Sequence, residues 1–86
     1  MGFFFRSYRG YTQSEDEKIV RYLIDNRRHT EVAGIVVWKI MESREILPGR
    51  SWQSMKERFR KRIIKDLINW TCITKQERAL FSSSNN

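Results

Sequence analysis

Basic side chains are concentrated in one short stretch of this 86-residue chain. Residues 50–66 hold seven Lys or Arg and two acidic residues, a net charge of +5, whereas residues 12–49 come to −1. Cationic groups at this density can neutralise phosphates along a nucleic acid. The same charge is also typical of a solvated face on a small helical domain. The stretch is therefore either a nucleic-acid-binding surface or an ordinary solvated face.

The whole chain has a net charge of +7, which favours an anionic partner: nucleic acid, a membrane surface or an acidic protein. It has no apolar run long enough to span a membrane. Of the anionic partners, we expect nucleic acid or protein and no membrane. His29 and Cys72 are the only residues of their types, and they assemble neither a catalytic set nor a metal site. The sequence therefore predicts no enzyme, no cofactor or metal, and no small-molecule substrate.

The basic stretch has the pattern of an amphipathic helix. Pro48-Gly49 is a break, and Ser51 can cap the helix that follows. One predicted face is apolar: Trp52, Met55, Phe59 and Ile63. The opposite face carries Gln53, Glu57, Arg60, Lys61 and Ile64, with Lys56 and Lys65 towards its margins.

Further helices are predicted on both sides of this one. Thr12 and Glu15 form a capping-box pattern, which predicts a helix from about residue 13 to 28. Residues 34–44 predict a second helix, although Ile-Val-Val-Trp at 35–38 would also suit a strand. Thr74 and Glu77 repeat the capping-box pattern and predict a short helix over 75–81. The expected fold class is all-α.

Three segments follow from this pattern. Residues 1–10 are expected to form a flexible N-terminal arm, residues 11–70 the helical domain, and residues 71–86 an extension whose end, from Ser82, is a disordered tail. Arg6 and Arg9 lie in the arm. Either they belong to a disordered tail, or they form an arm that reaches the minor groove. They resemble a homeodomain arm only in position and charge.

The spacing of the aromatic residues resembles that of the Myb/SANT family. Tyr11, Trp38 and Phe59 occupy the places of its three core aromatics, although the first and third are usually Trp. The stretch Ser51-Trp52-Gln53-Ser54, with Val32-Ala33-Gly34 and the residues around Trp38, is similar to the Rap1 Myb domain in particular. The similarity extends over residues 11–67. It implies a three-helix, homeodomain-like bundle with a helix-turn-helix.

The resemblance also implies a function and a site. It implies double-stranded DNA as the partner, a nuclear location, and a telomere or chromatin-associated protein, with the third helix in the major groove. By this resemblance, Gln53, Lys56 and Glu57 match the places where Myb helices meet base edges. Gln can pair with adenine, Lys with guanine, and Glu can accept from cytosine. The expected phosphate contacts are Arg50, Arg60, Lys61 and Lys65.

The resemblance leaves a second function open. Some Myb/SANT domains bind proteins and do not bind DNA tightly alone, and Val36, Ile40 and Ile64 would then provide an apolar partner surface. The basic third helix favours DNA over this alternative.

Arg58 is expected to have a structural role, because it lies on the side of the third helix that faces helix 1. We expect it to pair with Glu15, Asp16 or Glu17.

Overall fold

The structure, a computed structural model, describes residues 10–84. Helix α1 spans Gln13–Asp25, a short 3-10 turn spans His29–Glu31, and α2 spans Val36–Ser43. Helix α3 covers 52–66 and continues into a 3-10 turn at Leu67–Asn69; helix α4 spans Lys75–Ser84. The all-α prediction is confirmed, with no strand in the described part of the chain. None of the described helices is long and apolar enough to cross a membrane.

Helix α1 begins where the capping box predicts. The Thr12 hydroxyl accepts from the Glu15 amide at 3.1 Å, and the Thr12 amide donates to Glu15 Oε1 at 3.0 Å. The helix ends at Asp25 rather than at 28, because Arg27 adopts a left-handed backbone with φ of 55°. The amide of Arg28 then donates to the Leu23 carbonyl at 2.8 Å, which closes a Schellman motif.

Helix α2 is shorter than predicted and ends in the same way. It covers Val36–Ser43 where the sequence predicts 34–44, and Glu45 has a positive φ of 52°. The amide of Ile46 donates to the Met41 carbonyl at 3.1 Å. Glycine is the usual residue at this left-handed position. Because Arg27 and Glu45 occupy it here, the sequence has no glycine that would mark the end of either helix.

Helix α3 changes its winding in the middle. An α segment at Trp52–Arg58 is followed by a π segment at Phe59–Ile63 and an α segment at Ile64–Asp66. The buried residues Met55, Phe59, Ile63 and Leu67 are spaced by four residues. Such spacing drifts around an α-helix, which has 3.6 residues per turn. The wider π turn offsets this drift and keeps all four against the core.

The hydrophobic core extends beyond the predicted domain boundary at residue 70. The Phe59 ring lies 5.5 Å from Trp38 and 5.7 Å from Phe81, between ring centroids. Phe81 is fully buried, and Trp70 and Ile73 join the same core. The capping box at Thr74 and Glu77 is present, and α4 runs three residues past the predicted 81. Residues 82–84, predicted as disordered tail, are therefore helical; 85–86 lie outside the described residues.

Trp38 is the central residue of this core, because it is fully buried and its indole Nε1 donates to the Val32 carbonyl at 3.1 Å. We expect Trp38→Ala to cost about 3–5 kcal/mol of unfolding free energy. A domain of this size has little more than about 5 kcal/mol. A thermal melt followed by circular dichroism measures the loss. The matched control is Trp52→Ala, a half-buried tryptophan that should cost less; a Trp38→Ala melt close to the parent's would contradict this packing.

Candidate nucleic-acid interface

The first two turns of α3 hold the three predicted base-edge residues. The Ser51 hydroxyl accepts from the Ser54 amide at 3.1 Å and fixes where the helix begins. Gln53 and Glu57 are exposed, and Lys56 is half-buried. All three line one shallow depression of about 150 Å³, together with Trp52 and Arg60. The structure thus brings the three side chains together on one exposed surface.

Three of the predicted phosphate contacts follow on the exposed side of the same helix: Arg60, Lys61 and Lys65. Glu57 Oε1 accepts from Arg60 Nη2 at 2.8 Å and lies 3.8 Å from Lys61 Nζ. These pairs are more than half exposed, so they contribute little to stability and can exchange for contacts with phosphate. They also give the Glu57 carboxylate the basic partners that it needs beside an anionic ligand.

Arg50, the fourth predicted phosphate contact, has a different setting. Its guanidinium donates to both oxygens of Glu15, at 2.9 Å and 3.3 Å, and lies 3.8 Å from the centre of the Tyr11 ring. Its side chain is mostly buried. The hydrogen bonds from Arg50 hold the pKa of Glu15 below its ordinary value. A guanidinium engaged in this way makes Arg50 a weaker phosphate candidate than Arg60 or Lys61.

Arg58 forms the predicted pair with α1. Its guanidinium donates to both carboxylate oxygens of Asp16, at 2.7 Å and 2.9 Å, and these hydrogen bonds raise its pKa. Asp16 is buried, with 4% of its surface exposed. A two-point charged contact of this kind is both strong and specific in geometry. It fixes the rotation of α3 about its own axis relative to α1.

Tyr11 connects the two ion pairs. The Arg50 and Arg58 guanidinium carbons lie 3.8 Å and 5.5 Å from its ring centre, and its hydroxyl is 2.7 Å from that of Ser54. Burial raises the pKa of this phenol. The five residues Tyr11, Glu15, Asp16, Arg50 and Arg58 form one unit, which we call the Tyr11 cluster.

Arg62 is a basic residue that the sequence interpretation did not assign. Its side chain is 66% exposed, and its Nε lies 3.8 Å from Asp66 Oδ2. With Lys61 it borders a depression of about 330 Å³ beside Tyr11. The positive charge of Arg62 could have marked it as a candidate phosphate contact. The direction of its side chain, however, depends on the π segment, which the sequence pattern does not reveal.

The other predicted contacts divide into two groups. Arg6 and Arg9, the arm candidates, lie outside the described residues. Val36 is 63% exposed beside Ile35, Ile40 is half-buried, and Ile64 packs against the core from α3. Ile64 lines a groove with residues of α4, and Val36 and Ile40 do not.

Three helices around buried aromatic residues, with a capped third helix that is basic on its outer side, define a Myb-type helix-turn-helix domain. The Rap1 Myb domain family matches residues 11–67, and the chain belongs to that family.

The chain is 40% identical over 60 residues to telomeric repeat-binding factor 2-interacting protein 1 of Danio rerio. It is 41% identical over 54 residues to the protein of that name in Mus musculus. These matches cover 70% and 62% of this chain, but 9% and 14% of the two relatives. No solved structure matches the chain.

The pair between Asp16 and Arg58 gives a prediction about stability. Asp16→Ala leaves the Arg58 guanidinium without its carboxylate, and we expect it to cost about 3–5 kcal/mol of unfolding free energy. The double variant Asp16→Leu with Arg58→Met should recover most of that loss, because it removes both charges and retains packing volume. Urea denaturation of the two variants measures this.

The control for this prediction is Asp25→Ala, since Asp25 is exposed on the same helix and lies 3.6 Å from Arg21. An exposed pair should contribute less than about 1 kcal/mol. If Asp16→Ala were as mild as Asp25→Ala, or if the double variant were the least stable of all, the proposed role of the pair would be wrong.

Proposed function

We propose that this chain is a nuclear DNA-binding module that places α3 in the major groove of duplex DNA. The observation that carries the proposal is the sorting of the cations of α3. Arg58 faces inward to Asp16, while Arg60, Lys61 and Lys65 lie on the exposed side. An exposed cationic face next to polar side chains at the capped end of one helix suits contact with phosphates and bases together.

Within this proposal the two ends of α3 have different tasks. Gln53, Lys56 and Glu57 sit in the first two turns, the part that meets base edges when a helix-turn-helix docks. Arg60, Lys61 and Lys65 lie further along, where the helix leaves the groove and passes the phosphates. Arg62 joins this second group as a further phosphate contact. Arg6 and Arg9 are candidates for contacts in the minor groove.

The setting that we propose is the telomere. The two relatives carry the name of an interaction partner of a telomeric repeat-binding factor, and the matched segment is about a tenth of their length. We infer that this chain supplies the DNA-contacting segment of a chromosome-end protein. A single Myb unit often binds DNA weakly, so tandem copies, a dimer or a tethering partner would raise its effective affinity.

A protein-interaction domain is the second candidate, and the apolar start of α2 favours it. Ile35 and Val36 are exposed by 44% and 63%. The net positive charge of the outer face of α3 is also lower than its number of cations indicates, because Glu57 lies beside Arg60 and Lys61 and Asp66 lies beside Arg62. This candidate predicts negligible affinity for duplex DNA at low salt.

Four single variants separate base contacts from phosphate contacts. Arg60→Ala or Lys61→Ala should weaken binding equally on a selected and a scrambled duplex, and each should reduce the salt slope by about 1. Gln53→Ala or Lys56→Ala should cost roughly 1–3 kcal/mol on the selected duplex and less on the scrambled one.

The DNA affinity of the parent chain should fall steeply as salt rises. About 4–6 phosphate contacts give a slope near −4 to −5 for the logarithm of the binding constant against the logarithm of the salt concentration. Fluorescence anisotropy titrations measure all of these quantities.

Lys18→Ala is the control for these titrations, because Lys18 is an exposed lysine on α1 and should leave both affinities unchanged. Equal losses for all four variants on both duplexes would show a basic, non-specific binder. The absence of any loss, or of binding at low salt, would reject α3 as the DNA-contacting surface.

A further inference from the structure

A groove of about 550 Å³ lies between the C-terminal end of α3 and α4. Its apolar lining comes from Ile64, Leu67, Ile68 and Ala79, with Phe81 beneath. Ile68 is 76% exposed, the most exposed large hydrophobic side chain in the described part of the chain. An isolated exposed isoleucine is ordinary, but one that joins other apolar side chains in a concave surface offers area that a partner can bury.

The rim of this groove is basic. Lys65, Lys75 and Arg78 line it, and no acidic residue of the described chain does. None of the three forms an ion pair with a carboxylate of residues 10–81, in contrast to Arg60, Lys61 and Arg62 on α3. The rim therefore has positive charge that is not compensated within the described molecule.

Arg78 is held at the rim by the backbone. Its Nη1 donates to the carbonyls of Trp70 and Ile73, at 2.9 Å and 3.3 Å. These bonds satisfy donors but add no negative charge, so the guanidinium remains a cation in a fixed position. A cation fixed in advance loses little side-chain freedom when an anionic partner binds.

Helix α4 forms one wall of the groove, and its position depends on a few contacts. Phe81 is buried against Phe59 and meets the His29 ring edge-on, at 6.2 Å between centroids. Arg21 of α1 donates to Glu77 at 3.1 Å. The segment after residue 70, which the family match does not cover, thus creates a surface that α1 to α3 alone lack.

We propose that this groove binds an acidic segment of another protein that also carries apolar side chains. The apolar side chains would cover Ile68, and the carboxylates would meet Lys75 and Arg78, the two rim cations on α4. Duplex DNA is a poorer fit, because its polar backbone gains nothing from an apolar floor. The proposal goes beyond DNA binding by α3 and stands whether or not α3 binds DNA.

The test uses a fluorescein-labelled synthetic peptide with leucines at positions i and i+4 and glutamates on both sides of them. Anisotropy should show saturable binding to the 86-residue chain that weakens as salt rises. Ile68→Ser should weaken binding about tenfold, which corresponds to about 1.4 kcal/mol, since it removes an apolar contact. Lys75→Glu should weaken it several-fold, and a peptide with lysines in place of the glutamates should not bind.

Two matched variants serve as controls. Val36→Ser removes a comparably exposed apolar side chain from α2, and Lys18→Glu inverts an exposed lysine on α1. Both should bind the peptide as the parent does. Ile68 is exposed, so Ile68→Ser should melt within a few degrees of the parent, which separates a lost contact from a lost fold.

Three results would overturn the proposal. The first is no saturable binding up to about 1 mM peptide. The second is a loss on Val36→Ser without a loss on Ile68→Ser, which would move the partner surface to α2. The third is a loss of duplex affinity on Ile68→Ser and Lys75→Glu as large as that on Lys61→Ala. That result would assign the groove to DNA.

Discussion

The buried contact between Asp16 and Arg58 is the interaction on which the orientation of α3 depends. A carboxylate with 4% of its surface exposed requires a charged partner, and a guanidinium that meets both of its oxygens leaves α3 little freedom to rotate. Tyr11 and the pair between Glu15 and Arg50 extend this contact to the start of α3. The apolar core alone would allow α3 to slide or rotate with a smaller penalty, because hydrophobic contacts have little directionality.

The Tyr11 cluster also determines which cations of the basic stretch are paired with α1 and which remain exposed. Seven cations fall within residues 50–66, and α1 engages two of them, Arg50 and Arg58. The π segment then directs the later part of the helix so that Arg60, Lys61 and Arg62 remain exposed while Phe59 and Ile63 stay buried. The same helix therefore meets the core with one side and presents cations with the other. The cations available to a ligand are fewer than the net charge indicates.

The sequence predicts those features that depend on neighbouring residues. Both capping boxes and the apolar face of α3 are confirmed, because each follows from local spacing. The pairing of Arg58 with α1 is also confirmed although Asp16 is distant in sequence, because the charge of Arg58 lies on the side of α3 that faces α1. The predicted ends of α1 and α2 are wrong, because Arg27 and Glu45 adopt the left-handed backbone conformation that glycine usually adopts after a helix. The engagement of Arg50 and the burial of Phe81 depend on contacts between distant segments, and no local pattern encodes those. The assignments of base and phosphate contacts stay predictions.

We propose that the outer face of α3 is the surface that meets duplex DNA. The most direct measurement is a titration of ¹⁵N-labelled chain with a short duplex at low salt, followed through backbone amide shifts and side-chain amide signals. The largest changes should fall on residues 53–65, with the side-chain amide of Gln53 among them, while α4 and the start of α2 change little. Changes centred on Val36 or on Ile68, with α3 unaffected, would contradict the claim.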